Sequence, residues 1–206
     1  LALEYPAADD LPRYFVGEDP AMSHVVAMLS AMFPDGEDFF VRSVRHYRDR
    51  IEDPQLKRQV AGFIGQEAMH GREHRVFNDK LADLGYPVEP IAKWSARFMR
   101  LRERLLPAQA NLALTVTLEH VTALLPEVIL TDEETQRLLG HEAVRDVFYW
   151  HALEESEHKA VAFDVYKAIG GSERMRVWTM NILRYGFVAG MALQVVISLL
   201  GDRATY

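Results

Sequence analysis

Residues Trp150–Ala162 read WHALEESEHKAVA, which places His151, Glu154, Glu155, Glu157 and His158 within little more than two helical turns. Followed outward at alternating steps of three and four, positions 144, 148, 151, 155, 158, 162, 165 and 169 carry Val, Phe, His, Glu, His, Ala, Val and Ile. That spacing is the stripe of a helix packed lengthwise in a bundle. Its polar middle therefore lies on the face that should be buried. Glu154 and Glu157 fall off the stripe and are expected to be surface charges. A buried carboxylate without a partner is expensive, so the stripe calls for a compensating cation.

A second stripe has the same design. Positions 60, 63, 67, 70, 74, 77, 81 and 84 carry Val, Phe, Glu, His, His, Phe, Leu and Leu. The two stripes share a Glu-x-x-His pair: Glu67 with His70, and Glu155 with His158. At i, i+3 both side chains leave one helix face about a turn apart, so each pair can chelate one ion. A single Glu-x-x-His arises by chance in many helices. Two copies inside apolar seams point to a di-metal centre, which in a four-helix bundle also takes one Glu from each of the other two helices. Glu119 fits, with Leu112, Thr115, Val116, Thr122 and Ala123 on its side. Glu37 fits with Phe40, Val41, Val44 and Ile51. A buried polar network and a single catalytic metal are the competing readings.

The rest of the chain reads as all-α, without a convincing period-two run. Residues 1–18 are Pro-rich and irregular. Asp19-Pro20 starts a short helix over 20–33, interrupted by Pro34-Asp35-Gly36. A second segment runs to about Ile51, and Asp53-Pro54 opens a helix that Gly85 ends. The stretch YPVEP is a connection. Helix resumes near Ile91, breaks at Pro107 and continues to about Pro126. Residues 132–139 form a short helix or turn, a long helix covers 141–169, and a last one runs over 172–200. One domain is expected over 1–206, with the bundle at 20–170.

Bulk chemistry narrows the function. The 206 residues are 49% hydrophobic, enough for one core, and the formal net charge is −7. No basic patch suggests nucleic acid. There is no cysteine, so Asp, Glu and His must hold any metal, which suits Fe, Mn or Zn. Residues 1–20 do not resemble a signal peptide, and a cytoplasmic location is expected.

The order Glu, Glu-x-x-His, Glu, Glu-x-x-His resembles the ferritin-like di-iron carboxylate superfamily, across about residues 20–170. The phrases FPDGEDFFVRSVRHYRDRI, FIGQEAMHGREH and WHALEESEHKAVAFDVY look more narrowly like a bacterial family catalogued as predicted metal-dependent hydrolases. The superfamily resemblance implies a four-helix bundle with added N- and C-terminal helices, two irons and O2 chemistry. His151, one turn before Glu155, is similar to an extra ligand histidine of di-iron arylamine N-oxygenases, and the resemblance makes it a seventh ligand. In ferritin-like connectivity the two pair-bearing helices are antiparallel, so His74 would reach the same end of the site as His151. His74 is expected to contact substrate or support a ligand, with direct ligation as the alternative. His120 points about 100° from Glu119 and is expected to have a surface or packing role. His24, His46 and His141 read as ordinary. Asp38, Asp164 and Glu73 are candidate partners for the outer nitrogens of the ligand histidines. Tyr47, Tyr149, Trp150 and Tyr166 are expected to pack near the site, with electron gating or substrate contact as the alternative.

Three functions follow. The preferred one is an O2-activating oxidoreductase acting on a small or lipid-like substrate with an unidentified electron donor, in which Glu67 and Glu155 bridge the ions. A di-metal hydrolase with an activated water, and a ferroxidase-like iron-binding protein, are the alternatives. The stretch YGFVAGMALQVVISLL over 185–200 carries no charge. It reads as a helix covering the bundle or forming a homodimer seam through Gly186 and Gly190. Peripheral membrane contact through 177–200 is the rival reading.

Overall fold

Asp19 accepts a hydrogen bond from the Met22 amide, and Pro20 takes the first helical position, where its missing N–H leaves nothing unpaired. Helix α1 (Pro20–Arg45) starts there. Asp53 and Pro54 repeat the device for α2 (Pro54–Asp83), with Asp53 accepting from the Gln55 amide. Gly85, at φ +89°, follows the end of α2 in a conformation that other residues rarely adopt. The computed structural model describes residues 11–139 and 141–202. Within them follow α3 (Val88–Leu105), α4 (Ala108–Thr122), α5 (Leu124–Thr131), α6 (Glu133–Leu138), α7 (Glu142–His158), α8 (Val161–Ala168) and α9 (Glu173–Gly201). There is no strand among the described residues, so the chain is an all-α bundle.

Helices α1, α2, α4 and the pair α7–α8 form the bundle, with α1 against α2 and α4, and α8 bridging α2 and α4. Its core is in two apolar clusters. One gathers Phe40, Val44, Val60, Phe63, Leu112 and Val165, and the other Ala27, Phe77, Leu81, Val144 and Phe148. Between them lies a layer of buried Glu and His. The apolar–polar–apolar order of each seam is thus the vertical order of the bundle.

Four boundaries correct the sequence reading. Helix α1 runs unbroken through Pro34. Pro34 has no N–H for the Ser30 carbonyl, but the Asn78 Nδ2 of α2 donates to that carbonyl at 3.0 Å. A tertiary hydrogen bond replaces the missing one, so the usual break is avoided. The 141–169 helix is instead two, because Lys159 and Ala160 fall outside α7 and α8, although the stripe continues across them. Helix α3 begins at Val88, inside the supposed connection. Helix α4 ends at Thr122, and Pro126 lies in the first turn of α5.

Helix α9 lies over α1 and α4. Its far end is tied down: Asp202 accepts from Arg13 Nη2 (2.5 Å) and pairs with His24 Nε2 (3.1 Å), while His24 Nδ1 meets Ser198 Oγ at 2.6 Å. His24 is therefore a buried tie to the last helix. The segments 108–131 and 173–201 are both long and apolar enough to cross a membrane. The first is half buried in the bundle. Of the second only 6% of the most apolar window is buried. Gly186 and Gly190 meet nothing within 4 Å, so their spacing serves no contact within the described chain.

Candidate metal centre

All eight residues singled out in the sequence converge on the polar layer, and all are buried. His158 Nε2 lies 2.8 Å from Glu67 Oε1, 3.6 Å from Glu155 Oε1 and 3.9 Å from Glu119 Oε2. His70 Nδ1 is 3.6 Å from Glu155 Oε1. His151 Nε2 is 3.1 Å from the same oxygen and 4.0 Å from Glu37 Oε1. Each histidine of a Glu-x-x-His pair thus reaches a glutamate of the opposite helix. The two pairs form one cluster: Glu67, His70, Glu155 and His158 can bring one ligand atom each within 4.8 Å of one another. Glu37, His74 and His151 form a second such group.

The outer nitrogens decide what the inner ones can do. His70 Nε2 donates to Glu154 Oε2 at 3.0 Å, leaving Nδ1 without a hydrogen-bond partner and turned inward. Gln66 Nε2 donates to Glu157, so its Oε1 is free to accept from His158 Nδ1 at 3.0 Å. His158 Nε2 is then the inward atom. For His151 the relay is longer. Asn78 spends its amide nitrogen on the Ser30 carbonyl, and its Oδ1 accepts from the Ser30 hydroxyl at 2.8 Å. Ser30 Oγ can then only accept, from His74 Nδ1 at 2.9 Å. His74 Nε2 in turn accepts from His151 Nδ1 at 2.7 Å. That leaves His151 Nε2 facing the Glu155 carboxylate at 3.1 Å, where either a proton or a metal ion can stand between them. Outer bonds that fix ring orientation and tautomer in this way are typical of metal-bound histidine.

The carboxylates show the same need. Both oxygens of Glu37 and Glu119 are buried without a hydrogen-bond partner, and Glu67, equally buried, has only His158 Nε2 at 2.8 Å beside it. Three such groups cannot stay charged without compensation. Gly71 makes room for one of them, since a Cβ there would stand 3.2 Å from Glu37 Oε2. The donor set, carboxylate oxygen and imidazole nitrogen, fits borderline transition-metal ions.

The family described as predicted metal-dependent hydrolase matches residues 3–206. The chain belongs to that family. No curated protein and no solved structure matches it. Metal dependence is therefore indicated both by the family of predicted metal-dependent hydrolases and by the clustered ligand groups.

Without metal, protons take the cation's part. Burial, and then neighbouring carboxylates, raise Glu37 and Glu119 well above the ordinary carboxylate range. Burial lifts Glu67 to about 7 despite its bond to His158. Burial works against the charge on His158, but its bonds to Glu155 and Glu67 raise it to about 9. Burial would raise Glu155 too, yet bonds from His151 and His158 hold it low. Burial keeps His70 and His74 neutral.

Several residues here were not foreseen. Glu154 is the partner of His70 and also accepts from Trp150 Nε1, correcting its reading as a plain surface charge. Glu157 holds Gln66 in place. Asp38 pairs instead with Arg75, Glu73 with Arg72, and Asp164 is exposed. Tyr47 and Tyr166 sit in the apolar core, and His120 is exposed.

A cavity of about 810 Å³ opens between α1, α3, α4 and α9, with Glu37, His151 and Glu155 in its wall. Most of the remaining wall is apolar, including Leu29, Phe33, Phe40, Leu114, Leu118 and Phe187. Thr122 Oγ1, also in the wall, lies 3.5 Å from Glu155 Oε2.

Proposed function

We propose that this protein is a non-haem dinuclear metal oxidoreductase that uses iron and O2 to oxidise an apolar, lipid-like substrate. Glu37, Glu67, His70, Glu119, His151, Glu155 and His158 would hold the two ions, and His74 would orient His151. This reading takes the bundle as ferritin-like, and the four helices around one layer of Glu and His support it. The observation that carries the reading is the cavity. Its size lies in the ~300–1,000 Å³ range of small-molecule sites, and its walls are suited to a hydrocarbon.

Two ferrous ions would supply two electrons to O2, and an external donor would restore them. The chain's own part is positional. Glu37, His151 and Glu155 face the substrate space and fix which side of the centre is approached. His151 would add a neutral donor on that side. Phe33, Phe40 and Leu118 exclude bulk water from the reacting end. The exposed apolar face of α9 supports peripheral membrane contact as the route by which such a substrate arrives.

The family's description favours a second reading, metal-assisted hydrolysis, in which the same ligands would hold ions that activate water. Elemental analysis of protein purified without chelator, then reduction and mixing with O2 in a stopped-flow spectrometer, separates the two. About two irons per chain and a transient visible band are expected. Zinc or manganese with no O2 reaction would favour the hydrolase, and no metal even after reconstitution would overturn both.

A further inference from the structure

The cavity has one feature that oxidation at the centre does not use. Arg102, on α3, is the sole lysine or arginine among its described lining residues. Its Nη2 donates to the Ala110 carbonyl at 2.8 Å, while its Nε is buried without a partner. Burial weakens its hold on the proton, and no anionic neighbour among the described residues offsets this. A half-buried guanidinium facing an apolar chamber is a donor fork awaiting an anion.

The position of this fork is informative. Ala110, Leu114, Leu118 and Thr122 all line the cavity at four-residue spacing, so it follows α4 lengthwise. Arg102 is bonded to the Ala110 end, and Thr122 lies beside Glu155 at the other. Ala110 and Glu119 are nine positions apart on α4, about 14 Å of helix at ~1.5 Å per residue. A cation, an apolar run and a set of carboxylates and histidines therefore stand in line.

We infer that this cavity binds a single-chain amphiphile with an anionic head, a fatty acid or an alkyl phosphate, its head on Arg102 and its chain along α4 toward Glu37, His151 and Glu155. The carboxylate or phosphate accepts from Arg102 Nε and Nη, and each methylene laid along Leu114 and Leu118 leaves water. The head faces away from the metal ligands, whose own carboxylates would repel it. The chain, not the head, is then what the centre meets. This substrate class rests on the oxidoreductase reading, but binding does not require metal.

The test is a calorimetric titration of the full chain, metal-free and metal-loaded, with dodecanoate, dodecyl phosphate and dodecanol, each below its micelle concentration. At least one anion should bind tenfold or more tighter than the alcohol. Arg102→Gln should abolish that margin while leaving dodecanol binding unchanged, and Arg102→Lys should keep part of it. Met191→Trp, which narrows the cavity from α9 and leaves α3 untouched, should weaken all three ligands. The melting temperature of each variant checks its fold. Equal affinities for anions and alcohol, or a margin that survives Arg102→Gln, would overturn the inference. Arg102-dependent binding in a protein whose iron form ignores O2 would leave the site standing and remove the oxidoreductase reading. The reverse result would do the opposite.

Discussion

A histidine becomes a good ligand when its other nitrogen is already committed, and the outer nitrogen of His151 is committed by a chain of three side chains. Asn78 fixes the Ser30 hydroxyl, Ser30 fixes His74, and His74 fixes His151. Ser30→Ala should therefore lower metal affinity by about 10–100-fold without removing a ligand. Competition against a graded chelator measures this, and an unchanged affinity would remove Ser30 from the relay. Glu155→Ala should be more severe, since Glu155 lies near His70, His151 and His158 alike. Metal content after dialysis should fall at both positions, whereas Glu119→Ala should chiefly empty the His158 side. Two metals retained by every single substitution of the proposed ligands would defeat the assignment. The ligand candidates were legible because they fall on apolar stripes, where a charge must have a reason. Glu154, Ser30 and Asn78 were not, because their importance depends on which residue of another helix stands opposite. Arg102 was missed for a related reason: one arginine among several on an unremarked helix says nothing until its surroundings are known.

At the scale of the element, local sequence predicts starts better than continuations. Asp19-Pro20 and Asp53-Pro54 carry their own caps, so the start signals that mark both helices are complete in themselves. Pro34 is the opposite case. Its usual consequence was cancelled by Asn78, forty-four positions away, and no window around residue 34 contains that information. The rescue can be measured. Asn78→Ala leaves the buried Ser30 carbonyl unpaired and should cost about 1–3 kcal/mol. Pro34→Ala supplies the missing amide from within α1 and should recover most of that loss in the double variant. Denaturant unfolding of metal-free protein gives the coupling, and simple additivity of the two changes would show that Asn78 does not replace the lost bond. Substituting Asn78 also releases Ser30 and His74, so metal affinity and stability should fall together in this variant. The all-α class and the lengthwise seams were readable because their period spans whole helices. The short gap between α7 and α8 was not, since the stripe crosses it unchanged.

On the scale of the whole molecule, the polar layer ties stability to pH. His158 is raised to about 9 from an unfolded value near 6.5. Over pH 7–9 the folded metal-free protein therefore holds a proton that the unfolded chain has released, and its stability falls as pH rises. The depressed values of His70 and His74 act below pH 6.5, outside this window. Metal must displace that proton, so apparent affinity should climb by up to about tenfold per pH unit over the same range. Thermal melts should show the metal-free form weakening from pH 7 to 9 while the metal-induced rise in melting temperature grows; a flat profile would contradict the protonated His158. The outer surface makes a separate demand. On α3, Trp94, Phe98, Leu101 and Leu105 form an exposed apolar stripe at helical spacing, with Trp94 stacked on Phe98. Although the chain's net charge is −7, α3 carries Lys93, Arg97, Arg100, Arg102 and Arg104 against only Glu89 and Glu103. On α9, Trp178, Ile182, Tyr185 and Val188 are also exposed, and Trp94, Phe98, Trp178 and Ile182 belong to the cavity wall as well. An apolar stripe flanked by cations suits the surface of an anionic bilayer, where each basic residue contributes about 1 kcal/mol. Vesicles containing phosphatidylglycerol should therefore co-sediment the protein more strongly than phosphatidylcholine vesicles, and added salt should narrow the difference. The pair Trp94→Glu and Phe98→Glu should abolish sedimentation while leaving metal content unchanged, because neither residue is among the proposed ligands or their hydrogen-bond partners. If no vesicle binds and the protein instead sediments as a dimer that these substitutions dissociate, the face is a seam between two copies, and the cavity mouth would then open against a partner and not against lipid.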